Sequence, residues 1–236
     1  MIVLLCYIFY MTSPILFFLG IPILYKYIKY SRSEYKVESG NGFAKTVFEK
    51  GNYGEFLTFS YLEKLPRFKK LLVNLYIPKK DGTTTEIDLV MVDETGIYVF
   101  ESKNYSGWIF GNEKNKTWTQ TLGNKTKNKF FNPIWQNKAH IKALANVLPE
   151  FEESIYKSYI VFSERCTLRK IDIYSPEVKV IKREDLLYTI KKDILESKNV
   201  LSKTKVIETY NILSKFTIVD EDVKRKHIEN VKSYQN

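Results

Sequence analysis

Apolar and polar positions divide the chain into an uncharged N-terminal run, a short polar stretch, and a succession of strand-like and helix-like segments. Residues 1–25 contain no Asp, Glu, Lys or Arg. A helix of that length would span roughly 37 Å, more than a hydrocarbon core of about 30 Å. Neither a basic start nor a small-residue cleavage site marks a signal peptide. The expectation is an uncleaved transmembrane anchor, kinked at Pro14 and Pro22. Lys26, Lys29, Arg32 and Lys36 follow it, so the positive-inside rule predicts a single-pass protein of the cell membrane with its C-terminal bulk in the cytoplasm. Residues 26–42 read as a basic juxtamembrane linker closed by Gly40-Asn41-Gly42.

Residues 43–181 read as one domain and residues 182–236 as a helical C-terminal region. A short helix is predicted from Phe43 to Lys50, punctuated by Gly51-Asn52-Tyr53-Gly54. Glu55 then opens an apolar-periodic helix through Phe56, Phe59 and Leu62 that stops at Pro66. Leu71 to Ile77 reads as a strand. Short strands are expected at Trp108-Ile109-Phe110 and Thr117-Trp118-Thr119. Asn132-Pro133 has the N-cap and first-turn proline of a helix start, with Gln136 and His140 four apart on one face. Strands at Tyr156–Phe162 and Val178–Ile181 follow, then helices at Glu184–Leu195 and Lys203–Phe216 and a polar terminal helix.

The stretch from Glu86 to Lys103 carries the candidate chemistry. Asp88 lies in an apolar run, Asp93-Glu94-Thr95-Gly96 supplies hairpin-turn residues, and Ile97-Tyr98-Val99-Phe100 runs unbroken into Glu101-Ser102-Lys103. Four consecutive apolar residues suggest a strand buried on both faces. Glu101 and Lys103, two apart, share one face of it. If Glu94 and Thr95 alone form the loop, Asp88 falls opposite Glu101. Such a like-charge pair is destabilising by roughly 0.2–1 kcal/mol, and a divalent cation between the two would reverse the sign. A one-residue slip would turn Asp88 away unless a bulge restored it. A surface hairpin with an ordinary Glu–Lys pair is the plainer alternative.

Charge and composition narrow the chemistry. Thirty-seven basic against 27 acidic residues give a net charge of +10, which suits a phosphate-rich partner such as nucleic acid or an anionic membrane. Cys6 and Cys166 are the only cysteines, so no disulfide framework or thiolate zinc site follows. With two histidines, any metal site must rely on carboxylates, which favour Mg²⁺ or Mn²⁺. Residues 104–129 mix Lys125, Lys127 and Lys129 with Trp108 and Trp118, a composition that can track phosphates and stack bases.

Taken in order, Gly54-Glu55, Glu86-Ile-Asp88, Gly96-Ile-Tyr-Val-Phe-Glu-Ser-Lys-Asn104, Gly107 and Asn132-Pro-Ile-Trp-Gln136 make the stretch from Gly51 to Phe162 resemble the nuclease-related domain, a family grouped with the PD-(D/E)xK nucleases. The resemblance implies an α/β, restriction-endonuclease-like fold with a central mixed sheet flanked by helices. It implies that Asp88 and Glu101 bind Mg²⁺ or Mn²⁺, helped by the Ser102 carbonyl. Lys103 would position or deprotonate the attacking water, Glu55 would orient metal-bound water, and Gln136 would hold substrate or Lys103. The function expected is a membrane-anchored, metal-dependent nuclease, DNA favoured over RNA. The alternative is a non-catalytic nucleic-acid-binding or protein-interaction module tethered to the membrane.

Overall fold

The computed structural model describes residues 20–233. The expected anchor lies largely before residue 20, outside the described residues. Among those described, no helix is long and apolar enough to cross a membrane. Helix α1 (residues 20–31) leads into α2 (Tyr35–Ser39), α3 (Phe43–Phe48) and α4 (Lys50–Leu62). Strands β1 (Lys69–Pro78), β2 (Thr84–Asp93) and β3 (Gly96–Lys103) form an antiparallel meander. Further on, β7 (Tyr156–Phe162) and β9 (Val178–Lys182) add to β3 in parallel, giving a five-stranded sheet of order β1-β2-β3-β7-β9.

The chain between β3 and β7 builds a second mixed sheet. Its order is β6-β5-β4-β8, from β4 (Gly107–Asn112), β5 (Thr117–Thr121), β6 (Lys127–Phe131) and β8 (Cys166–Asp172). The fold is therefore mixed α/β with two sheets where the sequence reading expects one. Strands β6 and β8 were not legible because their sequences, KNKFF and CTLRKID, are mostly polar and alternate weakly. Pairing to β5 and β4 makes them strands, through tertiary context rather than propensity.

Helices cover both faces of the larger sheet. On one face α4 and α6 (Leu186–Glu196) contribute Phe56, Phe59, Leu62 and Ile190 against Leu89 and Phe100. On the other, α5 (Pro133–Val147) and α7 (Lys203–Leu213) contribute Leu144, Val206 and Leu213 against Val90 and Val99. The central strand is buried on both faces from Ile97 to Phe100, as its apolar run predicts. A polar helix, α8 (Glu221–Ser233), lies against β2.

Two segments are more deeply integrated than their sequences suggest. Residues 26–42 do not behave as a linker: Tyr30 and Tyr35 are buried, and the Tyr35 ring meets Phe56 edge-on at 5.4 Å. The C-terminal region supplies Leu186, Ile190, Val206 and Leu213, all fully buried. Losing one such side chain costs roughly 2–5 kcal/mol, against a total stability of about 5–15 kcal/mol. Deletion of residues 182–236 is thus expected to abolish the cooperative thermal transition. A truncated chain melting like the full one would show instead that these helices are an appendage.

Candidate active site

The site begins with a hairpin whose loop is Glu94-Thr95 alone, since Asp93 pairs with Gly96. The Asp93 Oδ1 accepts from the Thr95 backbone N–H at 2.9 Å and from its hydroxyl at 2.7 Å, which folds the chain back within two residues. Gly96 has φ 140°, and a Cβ there would fall 2.6 Å from the Ile155 carbonyl oxygen. This fixes the first of the two possible registers. The ladder is paired as far as Leu89–Phe100, and the same register carried one step further would set Asp88 against Glu101. The Ser102 backbone N–H donates to Asp88 Oδ2 at 2.7 Å and closes the pair.

On its other side Asp88 meets an irregularity. The β1–β2 ladder skips the pair Asn74–Asp88, and Asn74 has φ 53°, a left-handed conformation that Asn tolerates better than most residues. The side chains change faces across this point. Val73 and Leu89 join the α4-side core, whereas Leu75 and Ile87 join the α5-side core. The kink thus falls on the carboxylate itself.

Helix α5 completes the other flank. Asn132 caps it by accepting from the Ile134 N–H at 2.9 Å. Asn137 Nδ2 anchors it by donating to the Val99 carbonyl at 3.0 Å and to Ser158 Oγ at 2.8 Å. Gln136, directly before Asn137, and His140, about one turn after it, face the end of β3. Lys103 Nζ lies 2.6 Å from Glu101 Oε1 and donates to Gln136 Oε1 at 3.0 Å. His140 Nε2 lies 3.1 Å from Glu101 Oε2, and its Nδ1 lies 2.8 Å from Thr85 Oγ1. His140, buried and bonded to the central carboxylate, belongs to the site although the sequence reading gave it no role. Its one signal was the four-residue spacing from Gln136.

Burial and like charge set the protonation of these groups. Burial, and then the neighbouring Glu101 and Glu55 carboxylates, hold the Asp88 carboxyl well above the usual range against the pull of Lys103 and the Ser102 N–H. Glu101 is buried too, but Lys103 and His140 outweigh that and hold it below its ordinary value. Burial works against the Lys103 ammonium, yet Glu101 and Asp88 raise its pKa above the ordinary lysine value. Burial pushes the Glu55 carboxyl up to about 8, with Glu86 and Glu101 adding to the effect. The Tyr35 hydroxyl tempers that shift but is not in bonding geometry, and Glu55 Oε2 is buried with no hydrogen-bond partner. Helix α4 starts at Lys50, so Glu55 sits in its second turn rather than the first, and the helix dipole does not account for it. Gly54 lies inside the helix because a Cβ there would come within 2.8 Å of the Asn104 Cβ.

The donor set can be weighed against a metal. Among the described residues no group of three or more His, Cys, Asp or Glu forms a metal cage. Mg²⁺ needs fewer protein ligands, commonly one or two carboxylates with waters completing the shell. Asp88 and Glu101, hard oxygen donors with mutual repulsion to relieve, fit that demand. Two carboxylates alone suit Zn²⁺ less well, since its sites usually take several His or Cys ligands.

The second sheet separates the other candidates by strand alternation. Directly paired residues share a face. Trp108 pairs with Thr121 and Thr121 with Lys127, while Phe110 pairs with Thr119 and Thr119 with Lys129. Trp108, Phe110, Lys127 and Lys129 therefore lie on one face, and all four are exposed. Arg169 stacks over the Trp108 ring at 4.7 Å. Lys125, with φ 66°, sits in the adjoining turn. Trp118 is one residue out of phase and points inward. It is 1% exposed, lies parallel to Phe162 and donates its ring N–H to the Asn112 carbonyl. It serves the core and has no face open to a base.

Fold and site together define a mixed α/β domain organised around a carboxylate pair and a lysine at the end of its central strand. The model of the nuclease-related domain family matches residues 50–163. An uncharacterized protein of Bacillus anthracis is 36% identical over 182 residues, which cover 76% of this chain and 82% of that protein. The chain belongs to the nuclease-related domain family. No solved structure matches it.

The raised Glu55 carboxyl makes stability depend on pH. Its folded-state pKa of about 8 exceeds the ordinary 4.5, so between these values the folded chain binds more protons than the unfolded one. Stability without divalent cations should fall as pH rises through that window, and Asp88 adds the same sign. Glu55→Gln is expected to melt several degrees above wild type at about pH 8 and near it at about pH 5, given roughly 2–4 °C per kcal/mol for a chain of this size. Parallel melting curves at both pH values would refute the assignment.

Proposed function

We propose that this protein is a metal-dependent nuclease that hydrolyses phosphodiester bonds in nucleic acid, with DNA the favoured substrate. The observation that carries the reading is Lys103, a partly buried ammonium held between Glu101 and Gln136 beside the second carboxylate, Asp88. Its neighbours keep it charged at neutral pH, so Lys103 acts by stabilising negative charge on a phosphoryl oxygen and orienting a water. Gln136 fixes the ammonium, and His140 fixes Glu101 through its second oxygen. Asp88 and Glu101 would hold Mg²⁺ or Mn²⁺, which when bound polarises the phosphoryl oxygen and activates water. Glu55, whose Oε2 is buried with no hydrogen-bond partner, would accept a hydrogen bond from water at that site. The exposed face carrying Trp108, Phe110, Lys127 and Lys129 offers stacking and backbone contacts to a strand.

Membrane attachment forms part of the proposal. The described part of α1 exposes Ile21, Ile23, Leu24 and Tyr25, apolar side chains continuous with the uncharged residues before them. The basic residues that follow argue for a cytoplasmic domain. One observation favours a second reading, a binding module without catalysis: both Glu101 oxygens are already engaged, by Lys103 and by His140. Such a module would bind nucleic acid in a salt-sensitive way without needing a divalent ion.

Labelled single- and double-stranded DNA and RNA, incubated with the full chain in Mg²⁺, Mn²⁺ or chelator, separate the two. Cutting is expected only with metal, and both Lys103→Ala and Asp88→Asn should lower its rate by about a hundredfold or more while leaving the melting transition cooperative. Undiminished cutting by Lys103→Ala would remove the nuclease assignment. Binding without cutting, equal in both variants, would favour the module.

A further inference from the structure

We infer that the carboxyl ends of β3, β7 and β9 build a phosphate pocket next to the acid–lysine site, which takes a backbone phosphate flanking the one attacked in a nucleic-acid strand. The inference rests on the nuclease reading and extends it to a second contact with the substrate. A pocket of about 270 Å³ opens there, its polar lining made by Lys26, Lys50, Asn104, Glu164, Arg165 and Arg183 and the remainder by apolar and aromatic side chains. Four cations face one carboxylate, so the pocket favours an anion. Three of its walls leave parallel strands at their ends: Asn104 directly after Lys103, Glu164 and Arg165 just after β7, and Arg183 directly after β9. The crevice beyond the carboxyl ends of adjacent parallel strands is where open α/β sheets take up ligands. The first turn of α4 adds Lys50 and the positive end of a 13-residue helix.

Arg183 gives the pocket its specificity. Its side chain is fully buried, which is costly for a guanidinium. Nη1 meets Glu164 at 2.9 Å and Nε reaches Thr58 Oγ1 at 3.2 Å, but Nη2 is buried with no partner. A phosphate oxygen would supply it, since Arg presents paired donors to phosphate. The same Thr58 hydroxyl accepts from Ser102 Oγ at 3.1 Å, and the Ser102 N–H holds Asp88. Pocket and candidate active site thus share a short chain of hydrogen bonds. Arg165 is already aimed along the rim, with Nη2 donating to the Asn104 carbonyl at 2.9 Å and to its side-chain oxygen at 3.0 Å. A lipid headgroup carries the same chemical group, but the tie to Ser102 and the position of Asn104 favour a nucleic-acid strand.

The test uses the full chain in chelator, a short fluorescein-labelled DNA strand and its duplex, and fluorescence anisotropy over a range of salt. Lys50 and Arg165 are exposed, so the Lys50→Ala/Arg165→Ala double variant should fold normally. It is expected to bind DNA about tenfold more weakly and to show a salt dependence shallower by about two counterions. Arg183→Lys, which keeps a charge opposite Glu164 and loses the free N–H together with the Thr58 contact, should also weaken binding while the melting transition stays cooperative. Unchanged affinity and slope in the double variant would overturn the pocket, while metal-dependent cutting by the wild type would leave the nuclease reading standing. Soluble dihexanoyl phosphatidic acid is the second probe. Its loss from the double variant with DNA binding intact would overturn the proposal in favour of a lipid headgroup. A wild type that neither binds nor cuts nucleic acid would remove both readings together.

Discussion

Everything at the candidate site depends on one buried carboxylate. Glu101 sits at the end of the central strand and shares its two oxygens between Lys103 and His140. A buried ion pair is weak support for stability, because desolvation consumes most of the Coulombic gain. What the arrangement provides is constraint. His140 and Gln136 can reach the end of β3 together only if α5 lies in one rotation and one position along the sheet. Asn137, between them on the same helix, reinforces that choice through Val99 and Ser158. Polar contacts therefore set the register of α5, and the apolar contacts of Ala143 and Leu144 fill in around it.

A second constraint works against sheet regularity. Asp88 belongs to a strand whose neighbours are apolar on both faces, where a carboxylate gains nothing from packing. The kink at Asn74 breaks the ladder at this residue and lets the Ser102 N–H turn to its oxygen. Strained backbone beside chemically loaded side chains is a recurrent compromise at functional sites. Here the flanking pairs, Val73–Leu89 and Leu75–Ile87, resume the ladder at once, so the distortion stays local.

Much of this was legible in the sequence where local signals agreed. The turn residues Asp93-Glu94-Thr95-Gly96 announced the hairpin but left two registers open, and the Asp93–Gly96 pairing selects the one that carries Asp88 toward Glu101. Asn132-Pro133 marked the start of α5 to the residue. Other features are written only in contacts. Gly51 and Gly54 look like punctuation, yet the helix runs through both, and at Gly54 Asn104 packs where a Cβ would stand. Trp108 and Trp118 look alike in composition, and only pairing to β5 and β6 shows which faces outward. Tyr35 sits in a polar stretch that reads as a linker, but its ring is part of the core. His140 has no local signal beyond its spacing, since its partner lies 39 residues away.

The charge distribution carries the last step. The chain as a whole is strongly basic, with a net charge of +10. Yet the end of its central strand gathers Glu55, Asp88 and Glu101 within electrostatic reach of one another, and Glu86 adds to the potential at Glu55. A polyanion drawn to the basic surface meets repulsion at that point, and Lys103 alone cannot cancel three carboxylates. Two remedies are open to the molecule. It can take up protons, which the raised Asp88 and Glu55 carboxyls already favour, or it can take up a divalent cation. Protonation would leave the acids neutral and inert toward a phosphodiester. Cation binding would turn the same acids into ligands, and their mutual repulsion becomes the driving force for holding it. An acidic centre inside a basic protein is costly as architecture, and it gains a purpose if a phosphate and a cation arrive together.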